Sequence, residues 1–227
     1  YESSKDLLPY ELLDELKDNV CVLTGQSGVG KSTLLKSIAG KIPLLGGKIK
    51  FGTNVDMGYF DQQVAASNNQ NITVLESYQA VFPKETTEEA RTSLGAFMFS
   101  GDDVFKKLVD LSGGERVRLE LCKIFRSKPN LLLLDEPTNH IDIATREVLE
   151  DTLNEYQGTI LFVSHDRYFI NKFADKTIEF KDGCISTYLG GYDYFKEQKE
   201  KKELSHTINS KKKINKKNAN NENNFTL

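Results

Sequence analysis

Cysteine is scarce: the 227-residue chain holds three, Cys21, Cys122 and Cys184. An odd count argues against a closed disulfide framework, and the spacing fits no zinc pattern. Cys21 alternates with apolar neighbours in "NVCVLTG" and reads as a small core residue. A reducing cytoplasm is the expected compartment. Long apolar runs are missing too. The longest strongly apolar stretch, "LLLL" at 131–134, has the length of a buried strand, whereas a membrane span needs about 20 residues. No secretory leader is recognisable. The chain opens on Tyr1 rather than Met, which suggests a fragment. A net positive charge is found only at the end. Residues 196–227 hold nine Lys and four acidic residues, +5, so with an overall charge of −3 the remainder carries −8. An acidic body gives no reason to expect general nucleic-acid binding. Internal repeats are also absent.

What is present is ordinary for a globular chain: 38% hydrophobic and 28% charged residues. The length suggests one domain with a sizeable core. "NVCVLTG" (19–25) predicts a strand, and "KSTLLKSIAG" (31–40) a helix with Leu34, Leu35 and Ile38 on one face. "GGKIKFG" and "VDMGYFDQ" read as two further strands. Residues 72–107 read as mostly helical, "TTEEARTSLGAF" opening like a capped helix. Beyond them, helix and strand alternate: "GGERVRLELCKIF", "NLLLLDEP", "DIATREVLEDTLNEY", "TILFVSH", "DRYFINKFA". A hairpin follows in "KTIEFKDGCISTYLG", turning at Asp182-Gly183. Such alternation implies an α/β sheet with helices on both faces. The expected organisation is one domain over 1–203, with a helical insertion at about 64–110. A basic Lys/Asn-rich tail over 204–227 has too little apolar surface to order.

"GQSGVGKS" has the spacing G-x-x-x-x-G-K-S of a phosphate-binding loop, between a strand and a helix. The candidate nucleotide-binding segment is Gly25, Gln26, Ser27, Gly28, Val29, Gly30, Lys31, Ser32 and Thr33. Its glycines let backbone N–H groups turn inward on phosphate oxygens, and the helix adds its positive end. Lys31 is placed to reach the β- and γ-phosphates, and the Ser32 hydroxyl to ligate Mg²⁺. The loop alone does not distinguish ATPases, GTPases and kinases.

Four more elements narrow the class. "LSGGE" (111–115) puts Ser112, Gly113 and Gly114 at a helix N-terminus, a second anion site without a lysine; an ordinary N-cap reads the same way. "LLLLDEP" ends a strand in two adjacent acids. Neighbours on a strand face opposite sides, so Asp135 is assigned to the Mg²⁺ sphere and Glu136 to a water for in-line attack. "SHD" (164–166) follows the next strand, which would set His165 at the same sheet edge as Glu136. "GYFDQQ" (58–63) ends a strand before the insertion, and its Gln62 is a candidate both for Mg²⁺ and for the attacking water.

In this order the motifs closely resemble the nucleotide-binding domain of ATP-binding-cassette ATPases. "LSGGERVRLELCKIF", "LLLLDEPTNHID" and "FVSHDRYFI" look most like the ABC-F branch, which has no membrane domain. The charged ending "GGYDYFKEQKEKKE" is similar to the end of that branch's second cassette. The resemblance covers about residues 40–203. It implies ATP and Mg²⁺ as cofactors, ATP hydrolysis, and a second cassette as partner. Ser112, Gly113 and Gly114 would close over the partner's ATP, and Asp142 would lie at the seam. The ribosome and its RNA are the further implied partner. Residues upstream differ: "GQSGVGKSTLL" after "LLDELKDNVCVLT" resembles circularly permuted ribosome-assembly GTPases. Only 24 residues precede Gly25, leaving Tyr1 and Tyr10 as candidates to stack on adenine. No N-K-x-D guanine-reading motif is present. The rival expectations are such a GTPase, a mosaic, or an ATP-dependent ribosome clamp with little turnover.

Overall fold

The computed structural model describes residues 16, 19–25, 28–44, 46, 48–61, 71–181 and 184–202. A strand, β1 (Val20–Gly25), leads into helix α1 (Lys31–Ile38). β2 (Met57–Asp61) precedes two short helices, α2 (Val74–Gln79) and α3 (Thr87–Ala96), and two 3₁₀ turns at Gly101–Phe105 and Leu108–Asp110. Then come α4 (Gly113–Arg126), β3 (Leu131–Asp135), α5 (Ile143–Glu155), β4 (Thr159–Val163), α6 (Arg167–Phe173), β5 (Lys176–Lys181) and β6 (Cys184–Leu189). Residues 192–202 are again helical.

The six strands form one sheet in the order β2-β3-β4-β1-β5-β6. The first five are parallel and β6 returns antiparallel along β5. Strands buried on both faces show near-continuous apolar runs, and the alternation splits them between two cores. Cys21, Leu23, Leu133, Leu161, Val163 and Ile178 pack with Leu35 of α1 on one face. Val22, Leu132, Leu134, Ile160 and Phe162 pack on the other, with Val117, Leu149 and Phe169 of α4, α5 and α6. The expected α/β architecture with helices on both faces is therefore present.

Helix starts follow the local chemistry. Thr73, Thr86 and Ser112 each accept the N–H of a glutamate three residues on, and Glu76, Glu89 and Glu115 bond back to the cap N–H. Asp142 and Asp166 cap α5 and α6. The insertion is closed at its base. Val74 N–H donates to Lys106 O at 3.0 Å and Leu108 N–H to Ile72 O at 3.0 Å. The segment 72–108 is thus a loop whose ends meet just ahead of α4.

Two expectations are corrected. "GGKIKFG" is not a strand: residues 48–52 are irregular, and Phe51 is exposed. Its alternation suits a strand, but among the described residues no neighbour forms a ladder with it. A lone extended segment leaves its backbone groups to water. Glu136, expected on β3, lies just beyond it with φ 50°, in the left-handed region. A backbone turn, not the strand pleat, separates it from Asp135. The tail, the hairpin turn and Tyr1 and Tyr10 lie outside the described residues. Among those described, no helix is long and apolar enough to cross a membrane.

Candidate phosphate-transfer site

The parallel topology delivers the C-terminal ends of β1, β3 and β4 to one edge of the sheet, where open α/β sheets place their ligands. β4 lies between β1 and β3, so the turn after it stands between the phosphate loop and the two acids.

The loop after β1 needs its glycines. Gly25 has φ 149°, and a Cβ there would come within 2.6 Å of the Phe180 carbonyl oxygen on β5. Gly30 caps α1 in the left-handed region and offers the helix start no side chain of its own, and the positive end of the helix there suits a phosphate. Lys31 is buried and its ammonium donates to Gly25 O at 3.0 Å, across the mouth of the loop. Burial lowers its pKa, with the Glu136 carboxylate working against the shift. Gly28 also has positive φ, Val29 is exposed, and Thr33 continues α1. Gln26 and Ser27 lie outside the described residues.

The Ser32 hydroxyl donates to Asp135 Oδ1 at 2.8 Å. A hydroxyl and a carboxylate side by side, hard oxygens both, form the donor set that Mg²⁺ takes beside a phosphate. Burial raises the Asp135 pKa, and the Ser32 hydrogen bond opposes this. Asp61, opposite Asp135 in the β2–β3 register, pairs with Lys36 of α1 at 3.1 Å. Tyr59 also donates to Asp61, at 3.2 Å. Gln62, the next residue, lies outside the described residues.

Glu136 and His165 meet. Glu136 N–H donates to Val163 O at 2.9 Å, which fixes the acid's backbone to the end of β4. Its Oε2 accepts the His165 N–H at 3.2 Å and its Oε1 lies 3.3 Å from His165 Nε2. Burial raises the Glu136 pKa, and the positive end of His165 counters it. The Glu136 side chain is 19% exposed and the imidazole 67%, so the pair faces outward from the edge. A carboxylate and an imidazole in contact, beside a phosphate loop, can orient a water and handle its proton.

Ser112, Gly113 and Gly114 stand at the start of α4, and Gly114 lies against Asp142. The Ser112 hydroxyl accepts Glu115 N–H at 3.2 Å, the ordinary capping arrangement. Gly113 has nothing within 4 Å of a built Cβ, so its surface is open. At Gly114 a Cβ would meet Asp142 Oδ2 at 2.3 Å and Thr145 Oγ1 at 2.9 Å. Asp142 accepts Thr145 N–H at 2.7 Å, which holds its pKa down, and lies 3.7 Å from the buried Arg118. Arg118 donates to Thr145 Oγ1 at 2.7 Å.

Several of these groups escape a motif reading. Asp61 and Arg118 act through partners far away in the chain, as does Arg146 of α5, whose Nη2 lies 2.8 Å from Asp166 Oδ2 beside His165. Only the cap-forming aspartates and the i,i+4 spacing of Arg146 and Glu150 offered a sequence signal.

The fold, the phosphate loop and the paired strand-end groups define the chain as a nucleotide-binding cassette. The sequence model of the ABC transporter family matches residues 16–139, and the chain belongs to that family, as an ABC ATPase cassette. It is 45% identical over 199 residues to YdiF of Bacillus subtilis (strain 168), described as an ATP-binding protein. That match covers 88% of this chain and 31% of YdiF. It is 42% identical over 185 residues to ABC transporter F family member 5 of Arabidopsis thaliana, with 81% of this chain and 27% of that protein covered. The chain thus spans roughly a third of these relatives' length. Among solved structures, an ATP-binding subunit of an ABC transporter superposes with TM-score 0.65. It is 19% identical, with 76% of this chain and 79% of that chain covered, a likeness of fold alone. The bounds of the family match, 16 and 139, enclose the phosphate loop and the two acids. The GTPase-like reading of the N-terminal residues is therefore set aside: that loop belongs to the cassette.

Proposed function

We propose that this cassette binds ATP with Mg²⁺, hydrolyses it, and alternates between open and closed pairing with a second cassette. The second cassette would belong to the same longer polypeptide of the ABC-F kind, working on the ribosome in the cytoplasm. The observation that carries the hydrolytic part is the contact of Glu136 with His165 at the edge that also holds Lys31, Ser32 and Asp135.

In this reading the residues divide the work. The Gly30-capped start of α1 and Lys31 hold the β- and γ-phosphates, Lys31 leaving the Gly25 carbonyl to do so. Ser32 and Asp135 hold Mg²⁺, with Gln62 as a further candidate; the ion supplies charge neutralisation between the phosphates. Glu136 orients the attacking water, and His165 bonds the γ-phosphate side of the site and keeps Glu136 aimed. Ser112, Gly113 and Gly114 offer an open helix N-terminus to the ATP of the partner cassette, and Asp142 stands at the seam. The ribosomal part is supported by the names of F-family relatives and by the basic tail. A tail of that charge suits RNA phosphates, in contacts that weaken with salt.

Glu136→Gln tests the reading. The amide keeps the shape but cannot act as a carboxylate, so turnover should fall by ~10²-fold or more while ATP binding survives. The isolated variant cassette should then form an ATP·Mg²⁺-dependent dimer, read by size exclusion with light scattering, and the full-length variant should stay locked in a closed state on the ribosome. Unchanged turnover would remove Glu136 from the chemistry. A clamp with little turnover predicts instead that the unaltered protein already hydrolyses as slowly as the variant.

A further inference from the structure

Arg146 lies on α5, on none of the motifs, and yet it holds the turn that carries His165. Its Nη2 is 2.8 Å from Asp166 Oδ2, and its Nε donates to Glu150 Oε1 at 2.8 Å. Its guanidinium also lies 5.2 Å from the Tyr168 ring centroid. Asp166 immediately follows His165. Its Oδ1 caps α6 by accepting Phe169 N–H at 3.0 Å, and its own N–H donates to Ser164 Oγ at 3.0 Å. The two carboxylate oxygens of Asp166 are thus divided between the start of α6 and Arg146. His165 is two-thirds exposed, and the contacts recorded for its ring and N–H both go to Glu136. Packing does not hold the imidazole, so its aim depends on the backbone turn of residues 164–166.

We propose that Arg146 is a positioning residue: through its ion pair with Asp166 it fixes the 164–166 turn and so sets His165 against Glu136. The inference rests on the assignment of His165 and Glu136 to the hydrolytic step. Arg146 reaches no reacting atom in this account. A planar guanidinium that binds two carboxylates at once defines their separation in a way that a single ammonium does not. That gives α5 a rigid hold on a turn from the next crossover of the sheet.

Removing Arg146 should spare the fold. Glu150, its other partner, keeps Lys172 at 2.7 Å, so no buried carboxylate is left alone. Asn in place of Asp166 remains a good N-cap and loses only the charge that Arg146 engages.

The experiment uses the full-length protein with ATP·Mg²⁺. Arg146→Gln should lower kcat by about 10- to 100-fold, the scale of a misaligned catalytic group, with KM unchanged. Asp166→Asn should match it, and Arg146→Lys should recover part of the loss. Lys172→Met breaks the other arm of Glu150 and should leave turnover at the level of the unaltered protein. His165→Ala is the reference background: there Arg146→Gln should cost nothing more, because its effect passes through the imidazole. Unchanged turnover in Arg146→Gln, or a loss fully additive with His165→Ala, would overturn the proposal. A parallel rise in KM, or an equal loss in Lys172→Met, would reduce Arg146 to a structural residue and overturn it too. Should Arg146→Gln fail to fold, Arg146→Lys and Asp166→Asn are judged by the same cycle. If His165→Ala alone leaves turnover unchanged, the prior assignment of His165 fails, and this failure is read independently of Arg146.

Discussion

Gly114 gives the most demanding test of the geometry, because two neighbouring glycines should behave in opposite ways. A methyl at Gly114 would sit 2.3 Å from Asp142 Oδ2 and 2.9 Å from Thr145 Oγ1. Both distances are too short, so something must move. Asp142 is half exposed and can swing outward. In doing so it gives up the Thr145 N–H at 2.7 Å and leaves the buried Arg118 with less compensation. Losing an N-cap costs about 0.5–2 kcal/mol, and overpacking typically about 1–3 kcal/mol if the carboxylate stays. Alanine's better helix propensity returns up to about 1 kcal/mol. The net for Gly114→Ala is therefore a loss centred on about 1 kcal/mol, or roughly 2–4 °C in Tm for a chain of this size. Gly113→Ala meets nothing within 4 Å and should be neutral or slightly stabilising. Thermal and urea denaturation followed by circular dichroism measure both. In an Asp142→Ala background most of the Gly114→Ala cost should vanish, a coupling of about 1 kcal/mol or more. If Gly114→Ala is as stable as Gly113→Ala, the packing of α4 against the start of α5 described here is wrong.

Lys31→Ala should abolish binding of a fluorescent ATP analogue while leaving the circular dichroism spectrum unchanged; a variant that still binds would refute the phosphate-loop assignment. Ser32→Ala and Asp135→Asn should each raise the Mg²⁺ concentration needed for ATP binding, read by titrating the analogue at increasing Mg²⁺, and an unshifted curve would separate the pair from the metal. The insertion should loosen in acid. Bonds from the backbone and hydroxyl of Thr73 and Thr86 hold the Glu76 and Glu89 pKa values below the ordinary 4.5. A lowered folded-state value means the stabilisation is present above about 4.5 and disappears as pH falls through the lowered value. Amide exchange in α2 and α3 should therefore quicken in that window beyond its intrinsic rate. Gln at both positions, still able to close a capping box, should remove the dependence.

Legibility in the sequence followed the range of the interaction. The phosphate loop, the apolar strands and the caps are local: a glycine spacing, a run of apolar residues, a Ser, Thr or Asp ahead of a helix. Those readings place Lys31 at the start of the helix after β1 and Asp135 and His165 at or just past strand ends, and parallel topology then brings them to one edge. The strand expected at 48–52 failed because pairing is not local; alternation in "KIKF" specifies a face but supplies no neighbour. The separation of Asp135 from Glu136 was anticipated, but by the wrong device. A strand pleat would send Glu136 to the opposite face of the sheet. The left-handed turn with its N–H on Val163 O sends it instead along the edge, toward His165. Nothing in "DEP" announces that the bond goes to β4. The contacts of Arg118 with Thr145 and of Arg146 with Asp166 were invisible for the same reason, since they span 27 and 20 residues; only the i,i+4 pair of Arg146 with Glu150 is local.

The position of α5 explains why these hidden contacts cluster. The loop 136–142 is short and tied at both ends, by Glu136 to β4 and by Asp142 to the first turn of α5. Within that turn Thr145 takes Arg118 from α4, while the next residue, Arg146, takes Asp166 from the turn after β4. Successive residues on a helix point about 100° apart, so one rigid turn faces two elements at once. One of these is α4, which Ser112 caps; the other carries His165. A shift of α4 by a fraction of an ångström therefore has a continuous path of hydrogen bonds and ion pairs to Glu136. Spatial continuity is not coupling. The Asp142–Gly114 and Arg146–His165 cycles measure the contacts at the two ends; transmission between them would require Gly114→Ala and His165→Ala to be non-additive in turnover, and strict additivity there would leave the path without energy.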